Sequence, residues 1–266
     1  MTTTLRDAVA QRAARLSEPP QRSTMFETPA GPLWSVTAIA ERAEPREDLV
    51  TWQTWMLSTL AHTHRGRLEL LGAAGPQWLH EQLMAYRDAA GIMGRAVHDA
   101  LDARILEAPR PQPTEEQAPF VAAFERFEAD HTPGWDAAAM TVAKIDGPGA
   151  TWAGRADFFA IIDGRMVVGD FTTARRLEVA ALKLVGLSMC DTGWVVLRDG
   201  TEVEPPEVAG AVIVHLRPDL YPDTGYRLVP VDITDWTMGA FEAAALMVHR
   251  YDQTGGLFTP PATGGA

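Results

Sequence analysis

The sequence predicts an α+β protein in which a largely helical first half precedes a sheet. Three observations carry that expectation. Apolar residues recur at helical spacing through the first 130 residues, the period changes to two from Ala139, and Asp163-Gly164 separates two strand-like runs as a hairpin turn.

The first helical stretch, residues 5–16, is amphipathic and charged. Helical periodicity continues over residues 36–39, 49–60, 78–90 and 96–106, with Glu44-Pro45, residues 72–76 and the Pro-rich run 109–113 as breaks. Thr114 followed by Glu115, Glu116 and Gln117 reads as a capped start for a helix carrying Phe120, Phe124 and Phe127, since a threonine and a side chain three residues on can satisfy each other's amides. Strand readings follow at 140–145, 152–162, 165–171, 194–198, 211–216 and 226–229, with one helix, 177–189, between the third and fourth. A closing helix over 235–250 precedes a Gly/Pro-rich tail. The expected division is an N-terminal helical region at 1–90 packed on a core at 91–253, with a flexible tail at 254–266.

Composition bounds the function. The 266 residues are 46% hydrophobic and 22% charged, which excludes wholesale disorder. A net charge of −12 is no general polyanion-binding surface, so DNA would be held by a local basic strip or through a metal ion. The single cysteine, Cys190, excludes an internal disulfide and any thiolate cage, an iron-sulfur cluster included. No run of about 18 apolar residues and no signal-peptide core is present, so the expectation is a soluble, cytoplasmic protein with no membrane partner.

The chemistry concentrates in residues 152–173. A two-residue Asp-Gly loop favours a type I′ turn, and if Ile162 pairs with Arg165 the paired residue numbers sum to 327. That register sets Asp157 across from Asp170 and Arg155 across from Thr172. Opposed Cβ atoms lie about 4.5–5.5 Å apart, so two carboxylates would be forced together in an apolar hairpin. Their repulsion calls for a shared proton, a basic neighbour or a divalent cation, and carboxylates with open water positions suit Mg²⁺ or Mn²⁺. The alternatives are that the hairpin has another register, or that one aspartate is simply a solvated edge residue. Upstream, Gly94, Val97, His98, Leu101 and Asp102 share one helix face, and Asp102, four residues after His98, could orient its imidazole behind a metal.

The order of these segments resembles the RecB-like branch of the PD-(D/E)XK nuclease superfamily, and in particular phage-encoded exonucleases of actinobacterial viruses. The matching residues are Gly94 to His98, Gly154 to Asp157 and Asp170-Phe171-Thr172-Thr173, with flanking likeness at Trp34-Ser35-Val36-Thr37 and Pro119-Phe120 through Phe127. Together they span roughly residues 33–190. The resemblance implies a restriction-endonuclease-like core, with a mixed central sheet flanked by helices, and a metal-dependent DNA nuclease acting in phage DNA processing or recombination. It implies that Asp157 and Asp170, with His98 and the backbone carbonyl of Phe171, hold Mg²⁺ or Mn²⁺, which polarises the scissile phosphate and activates water.

Three positions depart from the pattern. Thr172 stands where the family has its catalytic lysine, Lys183 where a glutamine is expected and Leu187 where a tyrosine is expected. Lys144 and Lys183 are the only lysines of the chain, so Lys183 is the candidate for a migrated catalytic lysine and Arg155 for a phosphate clamp. Two readings follow: an active nuclease, or a nuclease-derived protein without catalysis that binds nucleic acid or a phage or host protein. Other chemistries have less behind them. His62 and His64 point to different helix faces, Ser188 and Cys190 lack a positioned base, and no glycine-rich phosphate loop exists.

Overall fold

The computed structural model describes residues 24–29, 31–43, 47–109, 112–145, 149–175, 177–194 and 202–254. A short hairpin, β1 (Met25–Thr28) and β2 (Gly31–Ser35), leads into α1 (Val36–Ala43), α2 (Glu47–Thr63) and α3 (Arg65–Leu71). After one 3-10 turn at Gly72–Ala74 the long α4 (Gly75–Ile105) follows, then α5 (Ala118–His131). The sheet elements are β3 (Gly134–Lys144), β4 (Trp152–Ile162), β5 (Arg165–Thr172), β6 (Thr192–Trp194), β7 (Glu202–Val203), β8 (Gly210–Leu216) and β9 (Tyr226–Val231). Between β5 and β6 lies α6 (Glu178–Ser188), and α7 (Asp235–Thr254) closes the described chain.

The protein is α+β, with a mixed, open sheet in the order β7-β6-β3-β4-β5-β8-β9 and β2 laid alongside the start of β4. The β5–β8 and β2–β4 pairings are parallel and the others antiparallel. Two apolar layers cover the sheet. On one side Val36 and Ile39 of α1, Leu184 and Leu187 of α6 and Phe241 of α7 pack on Trp152, Phe159 and Ile213. On the other, Val97 and Leu101 of α4 and Phe124 and Phe127 of α5 pack on Phe158, Phe171 and Val214. A sheet buried on both faces explains why β4 and β5 read as nearly continuous apolar runs. Among the described residues no helix is long and apolar enough to cross a membrane.

Several local expectations recur in the structure. Thr114 and Gln117 form the reciprocal capping pair, with the Thr114 amide on Gln117 Oε1 at 3.0 Å and the Gln117 amide on Thr114 Oγ1 at 3.4 Å. The Asp163-Gly164 turn has φ of 51° and 76°, the two positive values a type I′ hairpin needs.

Other expectations are corrected. Residues 25–35, inside the region expected to be helical, form a hairpin that joins the main sheet through Trp34↔Trp152 and Ser35↔Ala153. The two helical runs at 78–90 and 96–106 are one helix, since Gly91 and Gly94 cost propensity without removing a hydrogen bond. The expected helix at 5–16, most of the strand at 194–198 and the tail beyond Thr254 lie outside the described residues.

Candidate functional site

Pairs from Ile162↔Arg165 to Phe158↔Gly169 run between β4 and β5, each summing to 327. The ladder then ends, one rung before the two aspartates would face each other. Beyond it the Phe171 amide donates to Asp157 Oδ2 at 2.9 Å, and the edge of β4 that β5 leaves is taken by β2. Residues 170–172 stay paired to β8. The two strands therefore part at the level of the carboxylates.

A second irregularity faces Asp157 from the other side. On β3, Ala139 lies between the pairs Ala138↔Phe158 and Met140↔Ala156 and has φ of 55°. Ala156 and Phe159, three residues apart, both join the layer under α6, and so do Ala137 and Met140. Strict alternation, which would send residues three apart to opposite faces, is broken in both strands at Asp157.

Close packing brings α6 onto this sheet. A Cβ on Gly154 would sit 2.9 Å from Leu187 Cδ2 and 3.2 Å from the Val36 side chain, and the indole nitrogen of Trp152 donates to the Gly186 carbonyl at 2.9 Å. Docked this way, α6 delivers Lys183 to both carboxylates. Its Nζ bonds Asp170 Oδ1 and lies 3.7 Å from Asp157 Oδ1. From α4, His98 Nδ1 lies 3.2 Å from Asp157 Oδ2. Asp157, Asp170, Lys183 and His98 thus converge. Lys183 is on a helix turn turned inward, its side chain only 17% exposed.

The electrostatics follow from burial and proximity. Burial pushes the Asp170 carboxyl up, Lys183 opposes and the Asp157 charge adds, leaving it at about 6. Burial acts on Asp157 in the same sense, yet Lys183, His98 and the Phe171 amide more than offset it and hold that carboxyl well below the usual range. Burial also works against the Lys183 ammonium, but the two aspartates keep it protonated above its ordinary value. His98 is raised for the same reason, its burial outweighed by Asp157 and Asp170. The site is an ionised carboxylate, a protonated amine and a second carboxyl whose pKa burial raises, in a low-dielectric pocket.

The remaining candidates are placed differently from expectation. Arg155 does not pair with Thr172; it lies opposite Thr141 of β3, and its guanidinium meets the Asp102 carboxylate. Asp102 therefore serves Arg155 where the sequence had it orienting His98, because α4 sets this buried carboxylate over β4, where the half-buried guanidinium supplies the opposite charge it needs. Thr172 pairs with His215 of β8, and its hydroxyl accepts the Ala174 amide at 3.2 Å, capping the turn after β5. Phe171 contributes its amide to Asp157, and its side chain is fully buried.

Sequence reading overlooked His215. It is 3% exposed beside Thr172, with Nε2 2.8 Å from the Ala174 carbonyl and Nδ1 2.9 Å from the Tyr221 hydroxyl. A carbonyl only accepts, so Nε2 carries the proton and Tyr221 donates to Nδ1. A histidine on a strand with β-branched neighbours, four residues before Asp219 and six before Tyr221, was the available signal.

Two carboxylates and an imidazole are donors that suit Mg²⁺ or Mn²⁺, and the space between Asp157 and Asp170 already accepts a positive charge, that of Lys183. Among the described residues no three His, Cys, Asp or Glu side chains are mutually disposed as a metal-holding set, since Asp170 is turned to Lys183 and Asp157 is shared with His98 and the Phe171 amide. The chain matches no protein-family model and no curated protein sequence.

Proposed function

We propose that the chain is a metal-dependent nuclease hydrolysing phosphodiester bonds in DNA, built on a restriction-endonuclease-like core, with Lys183 in the role of the displaced motif lysine. One observation carries this reading: residues from four separate elements, His98 of α4, Asp157 of β4, Asp170 of β5 and Lys183 of α6, meet where β4 and β5 part. Asp157, Asp170, His98 and the Phe171 carbonyl would hold Mg²⁺ or Mn²⁺, which supplies Lewis acidity toward the scissile phosphate. Lys183 stays protonated beside both carboxylates and can offer that charge to a phosphate oxygen, while Arg155, oriented by Asp102, can grip a neighbouring phosphate. Linear DNA, degraded from its ends, is the substrate favoured by the phage-exonuclease resemblance.

The second reading, a nuclease-derived binding protein, draws on the same lysine. Its ammonium offsets part of the charge of the carboxylate pair without any metal, and Thr172 is committed to the turn after β5. The experiment is Mn²⁺-dependent degradation of linear DNA by wild type, Asp170→Ala, Lys183→Ala and Thr172→Lys. The nuclease reading expects activity in wild type, lost in Asp170→Ala and reduced at least a hundredfold in Lys183→Ala. Activity only in Thr172→Lys establishes the second reading, and full activity in Lys183→Ala removes the migrated role.

A further inference from the structure

The helices before the sheet form an arm that the carboxylate site does not use. α2 and α3 fold back on the first half of α4, where the His64 and Trp78 ring centroids lie 5.2 Å apart and the Arg67 guanidinium lies 4.9 Å over the same indole. Leu60 of α2 and Leu83 of α4 are buried. Farther along α4 the eight positions from Ala85 to Ile92 are all exposed, so the arm stands off the sheet layers on a bare stretch of helix. The same helix then delivers His98 to the carboxylates.

With one face on α4, α2 leaves another open. Trp52, Trp55, Thr59 and His62 recur at i, i+3, i+7 and i+10, share one helix face and are exposed. Trp55 is 61% exposed. The hydroxyls of Thr54, Ser58 and Thr59 turn back on the carbonyls four residues earlier at 2.8, 2.8 and 2.9 Å, so the indoles are what this helix offers a partner. Charge narrows the partner. The 20 residues from Leu49 to Leu68 contain no Asp or Glu, the longest such run in a chain that has 35 of them, and they include Arg65 and Arg67. Arg65 meets Glu69 at 3.1 Å, but at 84% and 66% side-chain exposure that pair is screened by water and is readily exchanged for a phosphate.

Aromatic planes beside cations, on the acid-free part of an acidic protein, fit a polyanion with unstacked bases. A duplex keeps its base faces inside the stack, and an anionic bilayer calls for a broader apolar face with more cations on it. We infer that α2 binds single-stranded DNA, with bases stacked on Trp52 and Trp55 and the backbone held by Arg65 and Arg67. The inference rests on the reading of the carboxylate site as one that acts on DNA, and it adds the strandedness and the path of the substrate. Leu83 and His98 are 15 residues apart on one helix, about 22 Å, or roughly six nucleotides of a stacked strand. A strand held on the arm is thereby kept within reach of the carboxylates by α4.

The test is fluorescence anisotropy of a fluorescein-labelled oligothymidylate of about 20 nucleotides with the full chain in EDTA, so that binding is read without cleavage. Trp52→Ala/Trp55→Ala is expected to bind at least about tenfold more weakly than wild type, with an unchanged circular dichroism spectrum. Arg65→Gln/Arg67→Gln should reduce the slope of log affinity against log salt by about 1.4, two phosphates at about 0.7 each. No binding by wild type, equal affinity in the tryptophan variant, an unchanged salt slope or equal binding of a blunt duplex overturns the inference. So does a dimer that the tryptophan variant dissolves, which gives the face to a second copy, or tighter binding to phosphatidylserine vesicles, which gives it to a membrane. Cleavage is scored separately with Mn²⁺. Binding that the tryptophan variant loses, in a chain that cleaves nothing, supports the arm and removes the nuclease; cleavage by wild type with equal affinity in that variant removes the arm alone.

Discussion

The Phe171 amide donates to the Asp157 carboxylate at 2.9 Å, taking the place of the next rung in the ladder between β4 and β5. A buried amide needs a partner, and here a side chain supplies it, so the strands can part without leaving the donor orphaned. The same bond helps keep Asp157 ionised, and that charge, after burial, is among the causes that raise the Asp170 carboxyl.

Lys183 is the cation on which this arrangement depends. Lys183→Met leaves two buried aspartates with their main opposing charge removed, an expected loss of about 3 kcal/mol at neutral pH. Mn²⁺ should then raise the melting temperature of Lys183→Met by more than it raises that of wild type, because the ammonium no longer competes for the carboxylates. Thermal shift with and without Mn²⁺ reads both effects. An equal Mn²⁺ shift in Asp157→Asn/Asp170→Asn would assign the cation to another site.

Gly169 allows Phe158 to cover β5 at the last ladder rung. A Cβ there would fall far inside contact distance of the Phe158 ring. Gly169→Ala should cost about 2–3 kcal/mol in urea denaturation, and Phe158→Leu in the same chain should recover part of that loss. Additive losses in the double variant would mean that the ring is not what Gly169 accommodates.

At Ala139 the left-handed φ of 55° costs an alanine about 1 kcal/mol, and a β-branched residue more. Ala139→Gly should match or exceed wild-type stability, whereas Ala139→Val should lose at least about 2 kcal/mol. Denaturation midpoints at unchanged slope check this, and a strongly destabilised Ala139→Gly would contradict it.

His215 makes stability depend on pH. Burial is the main cause that lowers its pKa from the ordinary 6.5. Below pH 6.5 the unfolded chain therefore binds the proton before the folded chain does, and stability falls as pH drops from 6.5 through the folded value. His215→Gln should flatten the melting temperature in this window relative to wild type. An unchanged slope would mean that the loss comes from another group.

Short-range chemistry was legible from residue order alone. The Asp163-Gly164 turn, the Thr114–Gln117 cap and the period-two runs each act over a few residues, so the hairpin register, and with it the nearness of Asp157 and Asp170, could be worked out by counting. The end of the ladder could not, because it depends on β2 claiming the edge of β4 from more than a hundred residues away. Four- and five-residue strands such as β1 and β2 carry too little pattern to be seen before they pair. Asp102 had two candidate partners, His98 one turn away and Arg155, separated by 53 positions, and only the seating of α4 over β4 decides between them. Lys183 reaches Asp170 because Gly154 lets α6 approach the sheet closely. Turns and caps obey local sterics and hydrogen bonding, whereas the partners of buried charges are set by how closely distant segments pack, a property of the folded core as a whole.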